Sequence, residues 1–135
     1  MTGFQAGLAS GWQKKLKKIQ KERRSVTEKW LNLLAGTFLP FRAVCNKTSY
    51  PIRLPVRIGT EEKTRQILQQ NEKMGLGLSI TYPDSINGIE PLARYFQGQN
   101  FPAARKAARQ TITLPVHGFV KTQDQKKILK IVTGA

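Results

Sequence analysis

Few side chains in this sequence could take part in catalysis, and the most reactive types occur singly. His117 is the only histidine and Cys45 the only cysteine among 135 residues. A single cysteine cannot form an intrachain disulfide, and one histidine with one cysteine cannot build a His- or Cys-rich metal site. His117 follows a predicted strand with no nucleophile beside it, which is more typical of a structural histidine than of a catalytic base. We therefore predict no catalytic residue and no metal site in this chain.

Two other patterns have a chemical interpretation that the surrounding sequence does not favour. Asp84 and Glu90 are carboxylates near predicted turns, but nothing in the sequence pairs them for acid–base catalysis. The Gly75-Leu76-Gly77 stretch is similar to the opening of a glycine-rich phosphate loop. It precedes a predicted strand, however, whereas such loops follow a strand and open a helix. A helix cap followed by a turn is therefore the favoured interpretation.

A basic run from Lys14 to Arg24 is the strongest charge signal, in a chain with 23 basic residues, 8 acidic residues and a net charge of +15. Such an excess attracts nucleic acid, anionic membranes or phosphorylated substrates. The run predicts either a phosphate-binding stripe on nucleic acid or the solvated face of an amphipathic helix. The second is favoured because no aromatic residues interleave the lysines to stack on bases. A small basic nucleic-acid-binding protein is the alternative function.

The basic run lies within a predicted long amphipathic helix. Apolar residues recur at steps of three and four, which is the period of an α-helix with one buried stripe, and Gly36 then predicts a C-cap. One helix from Phe4 to Ala35 would be about 50 Å long and would overhang any domain made by the remaining residues. The stripe therefore needs a partner surface. Its members are Phe4, Leu8, Trp12, Leu16, Ile19, Val26, Trp30 and Leu33.

Cap and turn residues divide the rest of the chain into short elements. Thr60 can cap a helix that Gly75 ends, and Thr122 with Gln125 predicts a capping box for the last helix. Pro55 lies within an alternating strand and indicates a sheet edge or a bulge. The other expectations are a connection over 38–49, strands over 52–58, 76–82 and 111–114, a short irregular or helical piece over 91–99, a helix from about residue 100, and a strand end at Pro115.

The order of these elements, a long helix and then alternating short strands and helices, predicts the α+β class, with helices packed on one face of a small sheet. We divide the chain into a long helix over 1–36 and a small domain over 37–135. No apolar run approaches the roughly 18 residues that a membrane helix needs. The first residues lack the basic-then-apolar order of a secretory signal. We therefore expect a cytoplasmic protein with no membrane partner.

Three segments, in order along the chain, are similar to the motifs of one enzyme family. MTGFQAGLASGWQKKLKKIQKERRSVTEKW matches a stretch that begins M-S/T-D-x-Q-A-A-x-G and continues to a paired arginine and an aromatic residue. YPIRLPVRIGTEEKTRQILQQNEKMGLGLSITYPDSI matches a strand, a helix and a G-I-G-x-x-x-x-Y-P segment. FPAARKAARQTITLPVHGFVKTQDQKKILKIV matches a closing F-P-x-A-x-x-x-A…L-P-x-H segment and a terminal helix. Nearly the whole chain thus resembles the DegT/DnrJ/StrS family of PLP-dependent sugar-nucleotide aminotransferases.

The resemblance implies that this chain consists of the long interdomain helix and the small C-terminal domain of a fold-type I aminotransferase. Family members use PLP to transfer an amino group from an amino acid to a keto sugar nucleotide, for amino-sugar or polysaccharide biosynthesis. They are homodimers with shared sites, and a large PLP-binding domain or the homodimer partner would cover the long helix. The resemblance places Tyr82 and His117 among the substrate contacts, and Arg23 and Arg24 in structural ion pairs.

Three departures from the family pattern imply a fragment that is inactive alone. The lysine that binds PLP, the aspartate for its pyridine nitrogen and most phosphate contacts lie upstream of the matching region, so we expect no cofactor on this chain alone. Thr81 and Asn87 hold two places where family members often carry histidine. Gly3 and Gly7 replace the usual Asp and Ala, which weakens the start of the helix. A truncated or split gene is the expected origin.

Overall fold

The computed structural model describes residues 2–35 and 51–134, and these form an α+β structure. The predicted fold class is confirmed. The connection expected over 38–49 and the C-cap expected at Gly36 lie outside the described residues, as does Cys45. The elements are α1 (Gly3–Ala9), α2 (Trp12–Leu34), β1 (Arg53–Arg57), α3 (Glu61–Met74), β2 (Ser79–Ile80), α4 (Glu90–Ala93), α5 (Pro102–Arg109), β3 (Thr111–Pro115) and α6 (Thr122–Thr133), with 3₁₀ turns at Ile86–Gly88 and Arg94–Phe96.

The predicted single helix from Phe4 to Ala35 is wrong at one point, because the chain turns between α1 and α2. Gly11 has φ +74°, in the left-handed region that glycine enters without a Cβ penalty. The Ser10 N–H donates to the Gly7 carbonyl and closes the last turn of α1. The apolar spacing continues through this break, so periodicity alone predicted one helix. The 23 residues of α2 still make it a long element.

The C-terminal half of α2 is part of the hydrophobic core. Val26, Trp30 and Leu34 are buried, and the Trp30 Nε1–H donates to the buried Pro115 carbonyl over 3.0 Å. This hydrogen bond ties the C-terminal part of α2 to the end of β3. Residues before and after position 36 therefore share one core cluster. The division into 1–36 and 37–135 stays a prediction.

The sheet has the order β1-β3-β2, and β3 is antiparallel to both neighbours. Leu54 lies opposite Leu114, and Val56 lies opposite Ile112, so these four side chains share one face of the sheet. We call this the inner face. It packs in one cluster with apolar side chains of α2, α3 and α6, as the prediction of helices on one face requires.

The opposite face of the sheet, called here the outer face, carries Arg53, Pro55, Thr111 and Thr113. Pro55 lies in β1, which pairs only with β3 among the described strands. The prediction of a sheet edge at Pro55 is therefore confirmed. An edge position suits proline because it has no N–H to give to a neighbouring strand.

The predicted caps of α3 are confirmed. The Thr60 hydroxyl accepts from the Lys63 N–H, and Gly75 ends the helix with φ +62°. The strand expected over 76–82 is shorter than predicted, because only Ser79–Ile80 pairs with β3. Before it, the Asn71 side chain accepts from the Leu78 N–H at 2.8 Å and donates to the Leu78 carbonyl at 3.1 Å. A side-chain amide thus replaces a strand partner at Leu78.

Two predicted boundaries near the C-terminus differ from the structure. Pro115 was expected to stop β3, but it is the last residue of that strand, paired with Arg53. The predicted Thr122–Gln125 capping box is wrong, because the N-cap is Lys121. The Asp124 carboxylate accepts from the Lys121 N–H at 3.2 Å. The carboxylate also suits the first turn of a helix, where the dipole favours negative charge.

Candidate functional site

Tyr82 lies two residues beyond β2, with 65% of its surface exposed, at the mouth of an open cavity of about 620 Å³. Pro55 and Thr111 form the floor of the cavity from the outer face of the sheet. Ala104 and Ala107 of α5 form one wall. The segment between β2 and α5 forms the other wall, with Thr81, Tyr82, Ile86, Ile89 and Leu92. The cavity is mainly apolar and could accept a ring or other apolar part of a ligand.

Asp84 fixes this second wall to α5. Its carboxylate accepts from the Arg109 guanidinium at 3.1 Å and from the Ser85 N–H at 2.7 Å. Arg105 Nε lies 3.6 Å away, within ion-pair distance, and Arg109 also pairs with Glu61 at 3.5 Å. The segment that carries Tyr82 is thus held by charged contacts to a helix more than twenty residues further along the chain.

These contacts change the proton affinity of both main partners. The hydrogen bond from Ser85, and then the Arg109 guanidinium, hold the pKa of Asp84 below its ordinary value. The Asp84 hydrogen bond, with the nearby Glu61 charge, raises the pKa of Arg109. Asp84 is therefore a permanent anion at neutral pH rather than a proton-transfer group. The sequence did not reveal that Asp84 is paired at all.

Thr81 and Asn87, at the two places where the resembling family often has histidine, have different surroundings. Thr81 is exposed at the cavity. Asn87 accepts from the Ser85 hydroxyl at 2.7 Å and donates to the Gln99 carbonyl at 3.0 Å. Asn87 therefore stabilises the loop between β2 and α5. Neither side chain supplies a titratable group to the cavity.

His117 lies on the exposed loop after β3. Its ring centre is 5.9 Å from that of Phe119, which is 88% exposed. The Val120 N–H donates to the His117 carbonyl and closes a turn. Gly118 and Phe119 face Glu22 and Val26 of α2 across a second cavity of about 410 Å³. The His117 loop therefore rests beside α2, not beside the Tyr82 cavity.

Tyr82 and His117, the two predicted substrate contacts, lie at opposite ends of β3. Ile80 pairs with Ile112 near the start of β3, and Tyr82 lies beyond it. His117 follows the far end of the same strand. The five residues of β3 alone span roughly 13 Å at 3.3 Å per residue. The structure therefore does not bring the two side chains together within this chain, and their role stays a prediction.

The paired arginines of α2 differ from each other. Arg24 Nε lies 3.0 Å from Glu28 Oε1, so the ion pair predicted for Arg24 is confirmed. Arg23 is half-buried, and its Nε has no hydrogen-bond partner among the described residues. No ion pair of Arg23 is found within 2–35 and 51–134. The lysines of the basic run are all exposed, as a solvated helix face requires. They are Lys14, Lys15, Lys17, Lys18 and Lys21.

The residues around the two cavities do not fit PLP. A covalent PLP site needs a lysine, and neither cavity has a lysine in its lining. The carboxylate at the Tyr82 cavity, Asp84, is already paired with arginine. No step of a PLP reaction can therefore be assigned to the described lining of these two cavities. Within the same ranges, no group of His, Cys, Asp or Glu could hold a metal ion, and no helix is long and apolar enough to span a membrane.

Comparisons with known proteins give one family and a consistent fold. A sequence model of the DegT/DnrJ/EryC1/StrS aminotransferase family matches residues 1–133. The fold is similar to that of Spr1654 from Streptococcus pneumoniae, described as a sugar aminotransferase. In the PLP form of that protein the TM-score is 0.72 and the identity 20%, over 87% of this chain and 31% of that one. The same protein is also known in a PMP form. No curated protein matches the chain.

Two further solved structures share this fold. A DegT/DnrJ/EryC1/StrS aminotransferase from Brucella abortus has a TM-score of 0.69 and 15% identity, over 88% of this chain and 31% of that one. DesV of S. venezuelae, in complex with a ketimine intermediate, has a TM-score of 0.64 and 19% identity, over 88% of this chain and 32% of that one. The chain thus spans about a third of the length of the solved structures that it matches. None of the comparisons supports the nucleic-acid alternative.

Proposed function

Because the chain belongs to the DegT/DnrJ/EryC1/StrS aminotransferase family, we propose that it is the small-domain part of a PLP-dependent aminotransferase. The reaction would transfer an amino group from an amino acid to a keto sugar nucleotide, in amino-sugar or polysaccharide biosynthesis. The observation that carries the proposal is the family match over residues 1–133. The fold shared with the aminotransferases from Streptococcus pneumoniae and Brucella abortus supports it, since the chain corresponds to about a third of each of them.

A large PLP-binding domain is the partner that this proposal requires. It would supply the lysine that binds PLP, which acts as an electron sink during transfer of the amino group. The exposed first half of the α1–α2 stripe supports such a partner, because Phe4, Leu8 and Trp12 are 76%, 69% and 53% exposed. We place the complete protein in the cytoplasm, as a homodimer with shared sites.

Within this assembly, Tyr82 and His117 would contact substrate from opposite ends of β3. Tyr82 would lie beside a ring of the substrate at the apolar cavity, where Pro55 and Ala104 form the facing surface. The exposed His117 loop beside α2 would contact another part of the substrate or a neighbouring site of the dimer. The matched test is Tyr82→Phe against Tyr82→Ala. A stacking role predicts that only the alanine variant raises KM for the sugar nucleotide.

The decisive experiment is a half-reaction followed by absorbance. The protein that contains this chain together with its PLP-binding domain is loaded with PMP and mixed with a keto sugar nucleotide. Conversion to the PLP form is the expected result, and a panel of keto sugar nucleotides without any conversion would contradict the proposal. The 135-residue chain by itself is the control. Added PLP should give no saturable, stoichiometric absorbance of lysine-bound cofactor, and a signal with turnover of an amino donor would show that the chain is an enzyme alone.

A further inference from the structure

Arg53 lies across the outer face of the sheet. From β1 its Nε–H donates to the Thr113 hydroxyl at 2.7 Å, and Nη2 donates to the Thr113 carbonyl at 3.1 Å. Nη2 also donates to the Gly77 carbonyl, in the segment that leads into β2. The guanidinium therefore reaches from one edge strand, over the central strand, to the other side of the sheet. Three hydrogen bonds hold it in one orientation.

The charge of Arg53 is not balanced by a carboxylate. Its partners are a hydroxyl and two carbonyl groups, and no ion pair of Arg53 occurs among the described residues. Other arginines have acidic partners: Arg24 pairs with Glu28, Arg65 with Glu61 and Glu62, and Arg109 with Asp84 and Glu61. Partial burial lowers the pKa of Arg53. A half-buried, unbalanced cation favours an anion beside it.

The guanidinium also has unused donors. Arginine has five N–H donors in a rigid planar fork. The hydrogen bonds to Thr113 and Gly77 use Nε and Nη2, and in the described ranges none is formed by Nη1. Because the fork is already fixed, a further bond from Nη1 needs little additional ordering of the side chain. Hydrogen bonds between an ionised donor and an ionised acceptor are also stronger than neutral ones.

We propose that Arg53 is the anchor of an oxyanion-binding site on the outer face of the sheet, where Nη1 donates to a carboxylate or phosphate oxygen of a small ligand. Arg57 lies on the same face of β1, about 13 Å further along the strand. It is exposed and forms no ion pair with the described residues, so it adds positive potential without a built contact. The site needs neither PLP nor a large domain. It can therefore fail or succeed independently of the proposed function.

The test is an NMR titration of the ¹⁵N-labelled 135-residue chain with two probes. Inorganic pyrophosphate represents the phosphate source and glutarate the carboxylate source. Either probe should give saturable shifts of the Arg53 Nε–H and of the Gly77 and Thr113 amides. Arg53→Gln should lower the affinity for the tighter-binding probe by about tenfold or more, since one charge-assisted hydrogen bond is lost. The matched control Arg57→Gln should weaken it by no more than about threefold, because an exposed charge at that distance is screened.

The relative affinity of the two probes identifies whether the bound oxyanion belongs to a phosphate or to a carboxylate. Tighter pyrophosphate binding indicates a phosphate-bearing ligand, and tighter glutarate binding indicates a carboxylate. Arg53→Lys is a second variant, for the case in which Arg53→Gln loosens the sheet. Lysine keeps the positive charge but lacks the planar fork of donors. A folded Arg53→Lys chain, recognised by its dispersed NMR spectrum, that binds the probe more weakly would therefore still support the site. Shifts absent for both probes at millimolar concentration would overturn it. Equal weakening by Arg53→Gln and Arg57→Gln would also overturn it, as non-specific attraction to a chain of net charge +15.

Discussion

At the scale of single residues, the contacts that shape the candidate site join positions far apart in sequence. Asp84 meets Arg109, 25 residues later, and Arg53 meets Thr113, 60 residues later. Neither pairing follows from a periodic pattern, so the sequence could show Asp84 only as a carboxylate near a turn. Caps are different, because Thr60 and Gly75 act on groups within a few residues of themselves. Local contacts such as these caps were therefore predictable from the sequence. The Asp84 and Arg53 contacts were not, because they depend on how distant parts of the chain pack together.

The Asp84 contacts predict a pH-dependent contribution to stability. The folded-state pKa of Asp84 is depressed, so its stabilising effect is present above the unfolded value of about 3.9 and is lost as the pH falls through the lower folded value. Asp84→Asn should therefore lower the Tm at pH 7, and its difference from the parent chain should shrink in acid below about pH 3.9. Thermal unfolding at a series of pH values measures this directly.

Glu90→Gln is the matched control for Asp84→Asn, because Glu90 is an exposed carboxylate of the same segment with no ion pair to the described residues. The Tm of the Glu90→Gln variant should equal that of the parent chain at every pH. If Asp84→Asn also follows the parent at neutral pH, the Arg105 and Arg109 contacts do not stabilise the wall that carries Tyr82.

At the scale of elements, α2 has two different halves. Its apolar stripe continues from Trp12 to Leu34, but only the part from Val26 onward is buried against the sheet. The sequence predicted the spacing of the stripe, but it placed Leu33 in the stripe, whereas the structure exposes Leu33 and buries Leu34. The need for a partner stays a prediction. The sequence could not predict the turn at Gly11, because the three- and four-residue steps continue through it and the deciding feature is one left-handed φ. Periodicity indicates which side of a helix is buried and gives no information on whether the helix is continuous.

The two tryptophans of α2 give a matched test of this division. Trp30→Phe removes the donor to the buried Pro115 carbonyl and some core volume, so it should cost about 2–4 kcal/mol. Trp12→Phe changes a half-exposed side chain and should stay within about 0.5 kcal/mol. Urea unfolding of both variants measures the difference. Similar losses of stability in the two variants would mean that both ends of the helix contribute equally to the fold.

At the scale of the whole molecule, the described residues form one closed core with an open extension. The core cluster draws on α2, α3, α6 and the sheet, while none of the described side chains from Gly3 to Leu16 belongs to it. This arrangement agrees with a chain that spans about 31% of the solved aminotransferases it resembles. Under the proposed function, the extension is the part that the large domain would cover.

The exposed part of the stripe predicts how the chain behaves without that partner. Phe4, Leu8 and Trp12 are all more than half exposed, and large apolar side chains that remain exposed favour association. The chain should self-associate, and replacing all three residues by glutamine should shift sedimentation profiles toward the monomer and raise solubility. The urea unfolding midpoint should change little, because none of the three belongs to the core cluster.

A control for this triple variant changes three exposed polar residues of the same region. The substitutions are Gln13→Ser, Lys17→Gln and Lys21→Gln. The control should leave the association state unchanged, since these side chains lie on the hydrated side of the helix. Cooperative unfolding of the whole chain by the apolar triple substitution would show that the stripe belongs to an internal core. A large domain would then not be needed to explain the apolar stripe. The family match over residues 1–133 would remain, but the exposed helix would no longer support the proposed partner.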